Sequence, residues 1–517
     1  MTRLRKFNPL YVWAAASVAA VACLVWALAQ TGRRSGQRAD ALVVYCAAAL
    51  RPPLEKIAAE YQERYGVEIR LQYGGSASLL SQIEVSKTGD LFLAADVSHV
   101  DLARKKNLVA EQLPMGWLQA VLAVRKGNPK QVRGVADLAR NDVRVALGDP
   151  NQAEIGRQTR RLLEHSGHWA AVKENVTRHG VFKPTEPDVA VDVQIGSVDA
   201  AIVWESTAAR LEGIETLDPP ELQTGRSLFA LAVLESSKTP TAALHFARYA
   251  AACDRGLETF RRSGFETIEG DAWAERPQLT FFAGSVNRRA LEPIVKRFEQ
   301  REDVAVNTVL NGCGILTAQM RAIEKTQGPG FPDVYMACDV YYLDVVQEMF
   351  QDAVNVSNTD IVMVVQKGNP RNIEELEHLA RPGIRIALGQ PEKCTIGVLC
   401  QKLLAAQGLY DKLFELGNVV QQTTSSAYLV PNVTTGAADV ALAYRTDTLG
   451  EKDKLDVIGI ESPLAKAVQP YCIARSSKQK HLGRRLLEEI ARSRADFEAA
   501  GFNWQLDPAC CPGGGKQ

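Results

Sequence analysis

Short apolar runs alternate with segments of helical spacing along most of the chain. An apolar run at residues 41–46 is followed at residues 53–65 by apolar positions three and four apart, and another short run covers residues 91–94. Strands that alternate with helices in this rhythm are typical of α/β folds. The pattern therefore predicts an α/β protein with mixed, mainly parallel sheets.

This pattern and its turns occur twice. The sequence KGNP at residues 126–129 returns at residues 367–370, an offset of 241 residues. A repeat of roughly 230 residues is far longer than the repeats of a solenoid. We therefore expect two copies of one module, over residues 41–268 and 278–505.

The ends of the chain differ from the modules. Residues 10–29 form an unbroken apolar run that follows three basic residues. Such a run is long enough for one membrane span, and basic residues before it keep the N-terminus in the cytoplasm. We expect residues 1–40 to hold a cytoplasmic N-terminus, a membrane anchor or cleavable signal segment, and a linker, with the anchor favoured. The rest is expected to be exported, on the periplasmic or cell-surface side of the inner membrane, and to end in a disordered tail at residues 506–517.

Composition argues against several classes of function. The 60 basic residues balance the 60 acidic ones, and no basic patch interleaved with aromatic residues occurs, so we expect no nucleic-acid partner. The sequence has no nucleophile elbow, Walker loop or dinucleotide fingerprint. We therefore expect neither an enzyme nor a bound cofactor.

The cysteines are unevenly divided between the modules. The first module has Cys46 and Cys253, whereas the second has Cys313, Cys338, Cys394, Cys400 and Cys472. This asymmetry argues against a disulfide framework shared by both copies.

Small residues follow the predicted strands of the second copy, where open parallel sheets bind their ligands. These loops contain Gly284 and Ser285, then Cys313 and Gly314, then Thr395, Ile396 and Gly397. Backbone N–H groups at a helix N-terminus bind anions without a formal positive charge. Because the loops lack Lys and Arg, we expect an anion selected by its size and hydrogen-bond geometry.

The order of the loops resembles the molybdate-binding proteins of ABC transporters, which are type II periplasmic solute-binding proteins. The resemblance is carried by YCAAAL at 45–50, YGGSASL at 73–79, GDLFLAAD at 89–96, GDP at 148–150 and GSVDAAIVW at 196–204. It covers both modules and implies a tandem duplication, with two lobes per module that close over a small tetrahedral oxyanion. It also implies an ABC permease as the partner.

The resemblance further implies individual ligand contacts. These are Ser285, Cys313, Ile396, Ser426 and Tyr444 in the second copy, against Ala49, Ser76, Ile155, Glu186 and Trp204 in the first. The first copy thus lacks two neutral donors and places Glu154 and Glu186 near the site. A carboxylate beside an oxyanion costs affinity in a closed cleft of low dielectric. We therefore expect the second module to bind the anion and the first to be altered or degenerate.

Cys313 stands where the family has a hydroxyl, and a thiol is the poorer hydrogen-bond donor. Three interpretations are open: small cysteines that pack near the cleft, a disulfide from Cys313 to Cys394, or a soft metal ion held by these two thiolates. For the protein as a whole, the alternatives are a membrane-tethered sensor or adaptor with degenerate sites, and a metal-handling or redox protein that uses its cysteines.

Overall fold

The computed structural model describes residues 41–506. The predicted membrane segment at residues 10–29 lies outside this range, as does the predicted tail at residues 506–517 except for Leu506, which is buried and donates its backbone N–H to the carbonyl of Val356, so the prediction of disorder is wrong for that residue. Among the helices of residues 41–506, none has both the length and the hydrophobicity that a membrane span requires.

Each module is built on ten strands. Those of the first are β1 Leu42–Ala47, β2 Ile69–Gly74, β3 Leu91–Ala94, β4 Val109–Arg125, β5 Val145–Gly148, β6 Val181–Lys183, β7 Ala200–Trp204, β8 Ile214–Leu217, β9 Arg226–Leu234 and β10 Glu266–Thr267. Those of the second are β11 Gln278–Gly284, β12 Ala305–Asn311, β13 Val334–Met336, β14 Phe350–Gln366, β15 Ile386–Gly389, β16 Val419–Thr423, β17 Val440–Tyr444, β18 Leu455–Gly459, β19 Lys466–Ala474 and β20 Asn503–Trp504.

Helices cover the sheets. Those of the first module are Arg51–Tyr65, Ser76–Ser86, Val97–Lys105, Glu154–His165, Trp169–His179, Glu186–Gln194, Glu205–Ala208, Pro240–Ala250 and Gly256–Arg262. Those of the second are Arg288–Glu302, Cys313–Thr326, Val340–Asp344, Thr395–Ala405, Tyr410–Glu415, Leu429–Thr434, Lys480–Arg492 and Arg494–Ala499. Short 3-10 turns occur at Ala48–Leu50, Val135–Ala139, Pro220–Leu222, Ser285–Asn287, Gln347–Met349, Leu376–Ala380, Ser426–Tyr428 and Arg445–Glu451.

The two modules have the same topology. The strand order is β2-β1-β3-β9-β4-β7-β5-β6 in the first and β12-β11-β13-β19-β14-β17-β15-β16 in the second. Strand β4 has 17 residues and pairs with β9 in one lobe and with β7 and β8 in the other, so it links the two lobes. The predicted tandem of two-lobed α/β modules is confirmed.

The sheets are mixed, but a smaller part of them is parallel than predicted. Strands β1, β2 and β3 pair in parallel, as do β5, β6 and β7. Strands β4 and β9, which lie at the centre of the path, run antiparallel to their neighbours. Alternation of strands and helices predicts parallel pairing. It does not predict β4, a long strand that pairs in antiparallel fashion in both lobes.

The outer parallel strands carry the loops of the candidate site. All four residues of β3 are buried, as expected of a parallel strand that is covered on both faces. Helix Arg51–Tyr65 begins with prolines in its first turn and ends at Gly66, whose φ of 71° suits glycine at a helix C-terminus. These boundaries fix where each strand passes into its loop.

Buried charges join the two modules. The Glu302 side chain, which is 1% exposed, accepts a hydrogen bond from Arg485 at 2.6 Å and one from Arg248 of the first module at 3.3 Å. Beside it, Arg301 donates to Glu111 of the first module at 3.0 Å. Because a buried charge is costly without its partner, these contacts favour a fixed arrangement of the two modules.

Candidate functional site

The first loop of each site is a 3-10 turn that follows the first strand of the module. The turns Ala48–Leu50 and Ser285–Asn287 occupy equivalent places, because Val44 pairs with Leu91 in one module as Phe281 pairs with Val334 in the other. The counterpart of Ser285 is therefore Ala48. The prediction of Ala49 is wrong by one residue, since strand pairing rather than local sequence similarity sets the correspondence.

The second loop uses Ser76 and Cys313 in the same way. Each begins a helix, and each side chain accepts a backbone N–H bond of 3.1 Å. The donor is Ala95 in the first module and Cys338 in the second. The thiol of Cys313 thus takes the place of the hydroxyl of Ser76, in agreement with the predicted correspondence.

The thiol of Cys313 has a neighbour that the sequence did not indicate. Its sulfur lies 3.0 Å from the sulfur of Cys338, and both residues are buried. Cys394, the partner expected from the sequence, instead directs its thiol to the carbonyl oxygens of Gln390 and Thr423, at 3.5 and 3.6 Å. Cys313 and Cys394 are not joined by a disulfide in this structure, and the nearest thiol to Cys313 is that of Cys338, because the end of β13 carries Cys338 to the start of the second loop.

Hydrogen bonding divides the pair into an acceptor and a donor. Burial alone raises the pKa of the Cys313 thiol, but the hydrogen bond from Cys338 contributes to a net lowering below the ordinary value. The same hydrogen bond, together with burial, raises the pKa of Cys338 well above its ordinary value. Across residues 41–506, no group of three or more His, Cys, Asp or Glu side chains is placed to hold a metal ion.

Gly284 makes room for the two thiols. A Cβ on Gly284 would lie 2.1 Å from the sulfur of Cys338 and 2.8 Å from that of Cys313. The equivalent residue of the first module is Ala47, which has Ser76 and Ala95 at the matching places. Gly284, predicted as a ligand contact, is thus required by the packing of the thiols.

The third loop approaches from the other lobe. Thr395, Ile396 and Gly397 form the first turn of helix Thr395–Ala405. A Cβ on Gly397 would lie 2.4 Å from the carbonyl carbon of Gln390, so glycine allows the helix to pack against its own loop. The N–H of Gly397 bonds to the carbonyl of Cys394, so the N–H groups of Thr395 and Ile396 are those of this turn without a helical partner.

Buried hydroxyl groups without a hydrogen bond occur in both modules, and those of Thr395 and Tyr444 are two of the six in the described part of the second module. The Tyr444 hydroxyl makes no hydrogen bond with residues 41–506, whereas that of Thr395 has none of normal geometry but lies near the thiols of Cys313 and Cys338 and acts to lower their pKa values. Tyr444 ends β17, is 1% exposed, and burial raises its pKa well above the ordinary value, so it remains a neutral donor. A buried hydroxyl without a partner costs about 1–3 kcal/mol, which an acceptor from a ligand would offset.

The two lobes of the second module meet at these loops. The Ser285 hydroxyl lies 3.3 Å from that of Ser425, and the Tyr342 hydroxyl donates to the Pro391 carbonyl at 3.1 Å. A Cβ on Gly314 would lie 2.8 Å from the carbonyl oxygen of Glu392. The structure therefore brings residues predicted from both lobes to a single closed cleft.

A cavity of about 450 Å³ opens beside Ser285. Its lining includes Arg288 and Arg289, which directly follow the first loop. Neither arginine was among the site residues predicted from the sequence. Asp447 also lines it; burial raises the pKa of this carboxyl to about 6, although Ser426 and Arg289 act in the opposite direction. The basic pair after the 3-10 turn is visible in the sequence, but Asp447 and Glu451 line the same cavity, so its formal charges balance, and the lining does not include Thr395 or Tyr444.

The first module fills its own site with a carboxylate. Glu186 is 4% exposed and accepts the N–H of Trp204 at 3.1 Å and the hydroxyl of Thr207 at 2.9 Å. Burial raises the pKa of Glu186 to about 7, although these two hydrogen bonds lower it. The remaining cavity, lined by Ser76, Ile155 and their neighbours, has a volume of about 20 Å³. That is room for about one water molecule.

Charged side chains hold the lobes of the first module together. His99 lies 2.7 Å from Glu154 of the opposite lobe, and Arg157 reaches across to Asp96 at 3.1 Å. Arg157 also pairs with Glu154 at 2.8 Å. We call these four side chains, Asp96, His99, Glu154 and Arg157, the latch of the first module. The second module has Tyr342, Thr395 and Val398 at the places of His99, Glu154 and Arg157.

Comparison with known proteins agrees with this architecture. The family model of bacterial extracellular solute-binding proteins matches residues 42–266 and 279–503. A binding protein of Haemophilus influenzae is 29% identical over 231 residues, which is 45% of this chain and 92% of the relative. The molybdate-binding protein ModA of Mycobacterium tuberculosis is 29% identical over 234 residues, 44% of this chain and 85% of the relative. The solved periplasmic molybdate-binding protein of Azotobacter vinelandii is 18% identical, with a TM-score of 0.37, over 43% of this chain and 98% of its own.

The chain belongs to the family of bacterial extracellular solute-binding proteins, as a tandem of two modules. The resemblance to the molybdate-binding proteins that the sequence predicted is confirmed. These relatives are binding proteins.

Proposed function

We propose that this protein is the extracytoplasmic solute-binding component of an ABC transporter and binds a small tetrahedral oxyanion, molybdate or tungstate, in its second module. The relatives named above support the ligand class, since several of them are molybdate-binding proteins. In this proposal, residues 10–29 anchor the protein in the inner membrane on the periplasmic side, and an ABC permease receives the anion.

The observation that carries the proposal is the buried Tyr444 hydroxyl, which makes no hydrogen bond within residues 41–506 and is replaced by Trp204 in the first module; the Thr395 hydroxyl, near the two thiols, is a second donor. Both are neutral donors at neutral pH, and an oxyanion offers acceptors in several directions. The backbone N–H groups at the start of helix Thr395–Ala405 add donors with a favourable helix dipole. Ser285 completes the set from the opposite lobe and lines the cavity that opens beside it.

The proposal gives the first module a different role. Glu186 accepts the N–H of Trp204 and the hydroxyl of Thr207 at that site, and the cavity of about 20 Å³ has no room for a tetrahedral anion with five heavy atoms. The ionic latch around Glu154 also keeps its lobes closed. These contacts favour a first module that serves as a structural or adaptor domain, one of the alternatives left open by the sequence.

Calorimetric titration of the full-length protein with molybdate, tungstate and sulfate tests the proposal. We expect one anion per chain, and we expect Tyr444→Phe to weaken binding by about 10- to 100-fold, since it removes one hydrogen bond to a charged ligand. The matched control is Ser76→Ala, which removes a hydroxyl from the first module and should leave the affinity unchanged.

Two results would contradict the proposal. Weakened binding by Ser76→Ala together with normal binding by Tyr444→Phe would make the first module the working copy. Absence of binding for all three anions would favour a sensor or adaptor in which both sites are degenerate.

A further inference from the structure

Cys313 and Cys338 form a dithiol in the wall of the second cleft. Their sulfurs are 3.0 Å apart, and a disulfide requires about 2.05 Å, so a movement of about 1 Å joins them. Cys313 begins helix Cys313–Thr326, and Cys338 follows β13 in the same lobe, so bond formation needs no movement of one lobe against the other. Gly284 provides the space that both sulfurs occupy.

The other thiols do not share this arrangement. All seven cysteines of residues 41–506 are free, and the remaining ones in the second module include Cys394, Cys400 and Cys472. Cys394 and Cys472 direct their thiols to backbone carbonyl oxygens. In the first module, the places of Cys313 and Cys338 are taken by Ser76 and Ala95, so that copy has no equivalent pair.

We infer that Cys313 and Cys338 are the site of a reversible disulfide that controls anion binding by the second module. An exported protein meets oxidising conditions, in which such a pair forms a disulfide. The disulfide site stands on the geometry alone, whereas its effect on affinity rests on the proposed function.

The oxidant that the reaction needs is a low-molecular-weight disulfide, written RSSR. Both sulfurs are buried in the closed module, so RSSR reaches them when the lobes part; the Cys313 thiolate then attacks one sulfur of RSSR, forms a mixed disulfide and releases one RS⁻. Cys338 then loses its proton and attacks the sulfur of Cys313, which releases the second RS⁻. The protein dithiol is oxidised by two electrons, RSSR is reduced to two thiols, and the protons from the two cysteines end on the products. The hydrogen bond from Cys338, which contributes to the lowered pKa of Cys313, makes Cys313 the attacking thiol.

The state of the pair changes the anion site. In the reduced form, the sulfur of Cys313 accepts hydrogen bonds from the thiol and the backbone N–H of Cys338, so it presents lone pairs rather than a donor at the position that corresponds to a ligand-facing hydroxyl. Repulsion between this sulfur and an oxyanion is strong in a closed cleft of low dielectric. In the oxidised form the sulfur is bonded to Cys338 and cannot become a thiolate. We therefore expect the oxidised protein to bind the anion more tightly.

Peptide mapping of the full-length protein tests the disulfide. Trypsin places Cys313 in the peptide 302–321 and Cys338 in the peptide 326–367, so the linked pair has a distinctive mass. After incubation with oxidised glutathione and alkylation, we expect these two peptides to be linked and dithiothreitol to separate them. Cys338→Ala should leave Cys313 open to alkylation, and alanine is the residue that the first module has at this place. The matched control Cys400→Ala removes another buried thiol and should behave like the wild type.

Calorimetry of the oxidised and reduced protein with molybdate tests the control of binding. We expect Kd to be at least about tenfold lower in the oxidised protein, which corresponds to about 1.4 kcal/mol. We also expect Cys338→Ala to show the same Kd with and without oxidised glutathione.

The two parts of the inference can fail separately. Failure to link the two peptides, or a link from Cys313 to Cys394, overturns the disulfide site. Equal Kd values in the two forms overturn the control of binding while the disulfide stands. If neither form binds an anion, the proposed function fails, and the peptide map still decides the disulfide site.

Discussion

Each module pairs a carboxyl group with a hydroxyl group at two equivalent positions, but the two groups have exchanged places between the modules. In the first, the Glu186 carboxylate accepts the Thr207 hydroxyl, and in the second Ser426 and Asp447 occupy these two places. Both replacements lie at an offset of 240 residues. The exchange moves the carboxylate from the anion site to the mouth of the cleft, beside Arg289. The comparison teaches that a binding fold can be kept while one buried charge closes its site.

A second difference concerns the packing around the first two loops. The first module combines Ala47, Ser76 and Ala95, whereas the second combines Gly284, Cys313 and Cys338. The volume lost at the glycine is taken up by the two sulfurs. These positions therefore changed together, which explains why a glycine with no need for an unusual backbone angle stands at the end of β11.

The largest expected effect concerns the buried carboxylate of the first module. Because the pKa of Glu186 is raised from 4.5 to about 7, the folded protein binds more protons than the unfolded chain in this range, and stability falls as pH rises from about 4.5 to 7. We expect Glu186→Gln to remove this dependence and to be more stable than the wild type at pH 8, by about 3 kcal/mol at most. Urea unfolding at pH 5 and pH 8 measures the difference.

Asp447→Asn is the matched variant in the second module. Its carboxyl has a pKa raised from 3.8 to about 6, so we expect a smaller gain that is already complete near pH 7. If the wild type and Glu186→Gln lose stability equally between pH 5 and pH 8, Glu186 does not carry the charge that closes the first site.

The next effect concerns the space at Gly284. A Cβ there would overlap the sulfur of Cys338, so we expect Gly284→Ala to lower the free energy of unfolding by about 1–3 kcal/mol. The double variant Gly284→Ala/Cys338→Ala reproduces part of the first module and should recover most of the loss. Urea unfolding measures both. A tolerated Gly284→Ala, or a double variant that is no more stable, would show that the glycine and the thiols are not coupled.

The smallest effect concerns the latch of the first module. Arg157 is about half exposed, so we expect Arg157→Ala to cost less than about 1 kcal/mol. It should nevertheless speed hydrogen exchange at the backbone amides around Asp96 and Glu154, because the lobes open more often. Arg160→Ala is the control, since Arg160 pairs with Glu164 of the same helix. Equal hydrogen-exchange rates in the two variants would show that Arg157 does not hold the lobes of the first module together.

Much of the fold could be read from the sequence because it depends on local patterns. The apolar runs and helical spacing located β1, β3 and helix Arg51–Tyr65 to within a few residues. The pattern did not indicate the central antiparallel strands, since β4 reads as an ordinary apolar run, and only its pairing shows that it crosses both lobes. Local alternation carries no information on the direction of a partner strand.

The candidate site was less accessible to sequence reasoning. The sequence selected the loops and the contrast between Tyr444 and Trp204, because it could compare two copies of one pattern. It missed Arg289 and Cys338, which enter the site from elements that follow the loops in the chain or join them through the sheet.

By itself, the sequence determined that one module occurs twice and that the copies differ at the positions expected to face a ligand. Only the tertiary structure decided which groups meet. Cys313 faces Cys338 rather than Cys394, Glu186 turns to Thr207 and Trp204, and Ser285 corresponds to Ala48. The physical reason is that strand register and side-chain direction bring distant residues within 3–4 Å, and spacing along the chain does not encode these contacts.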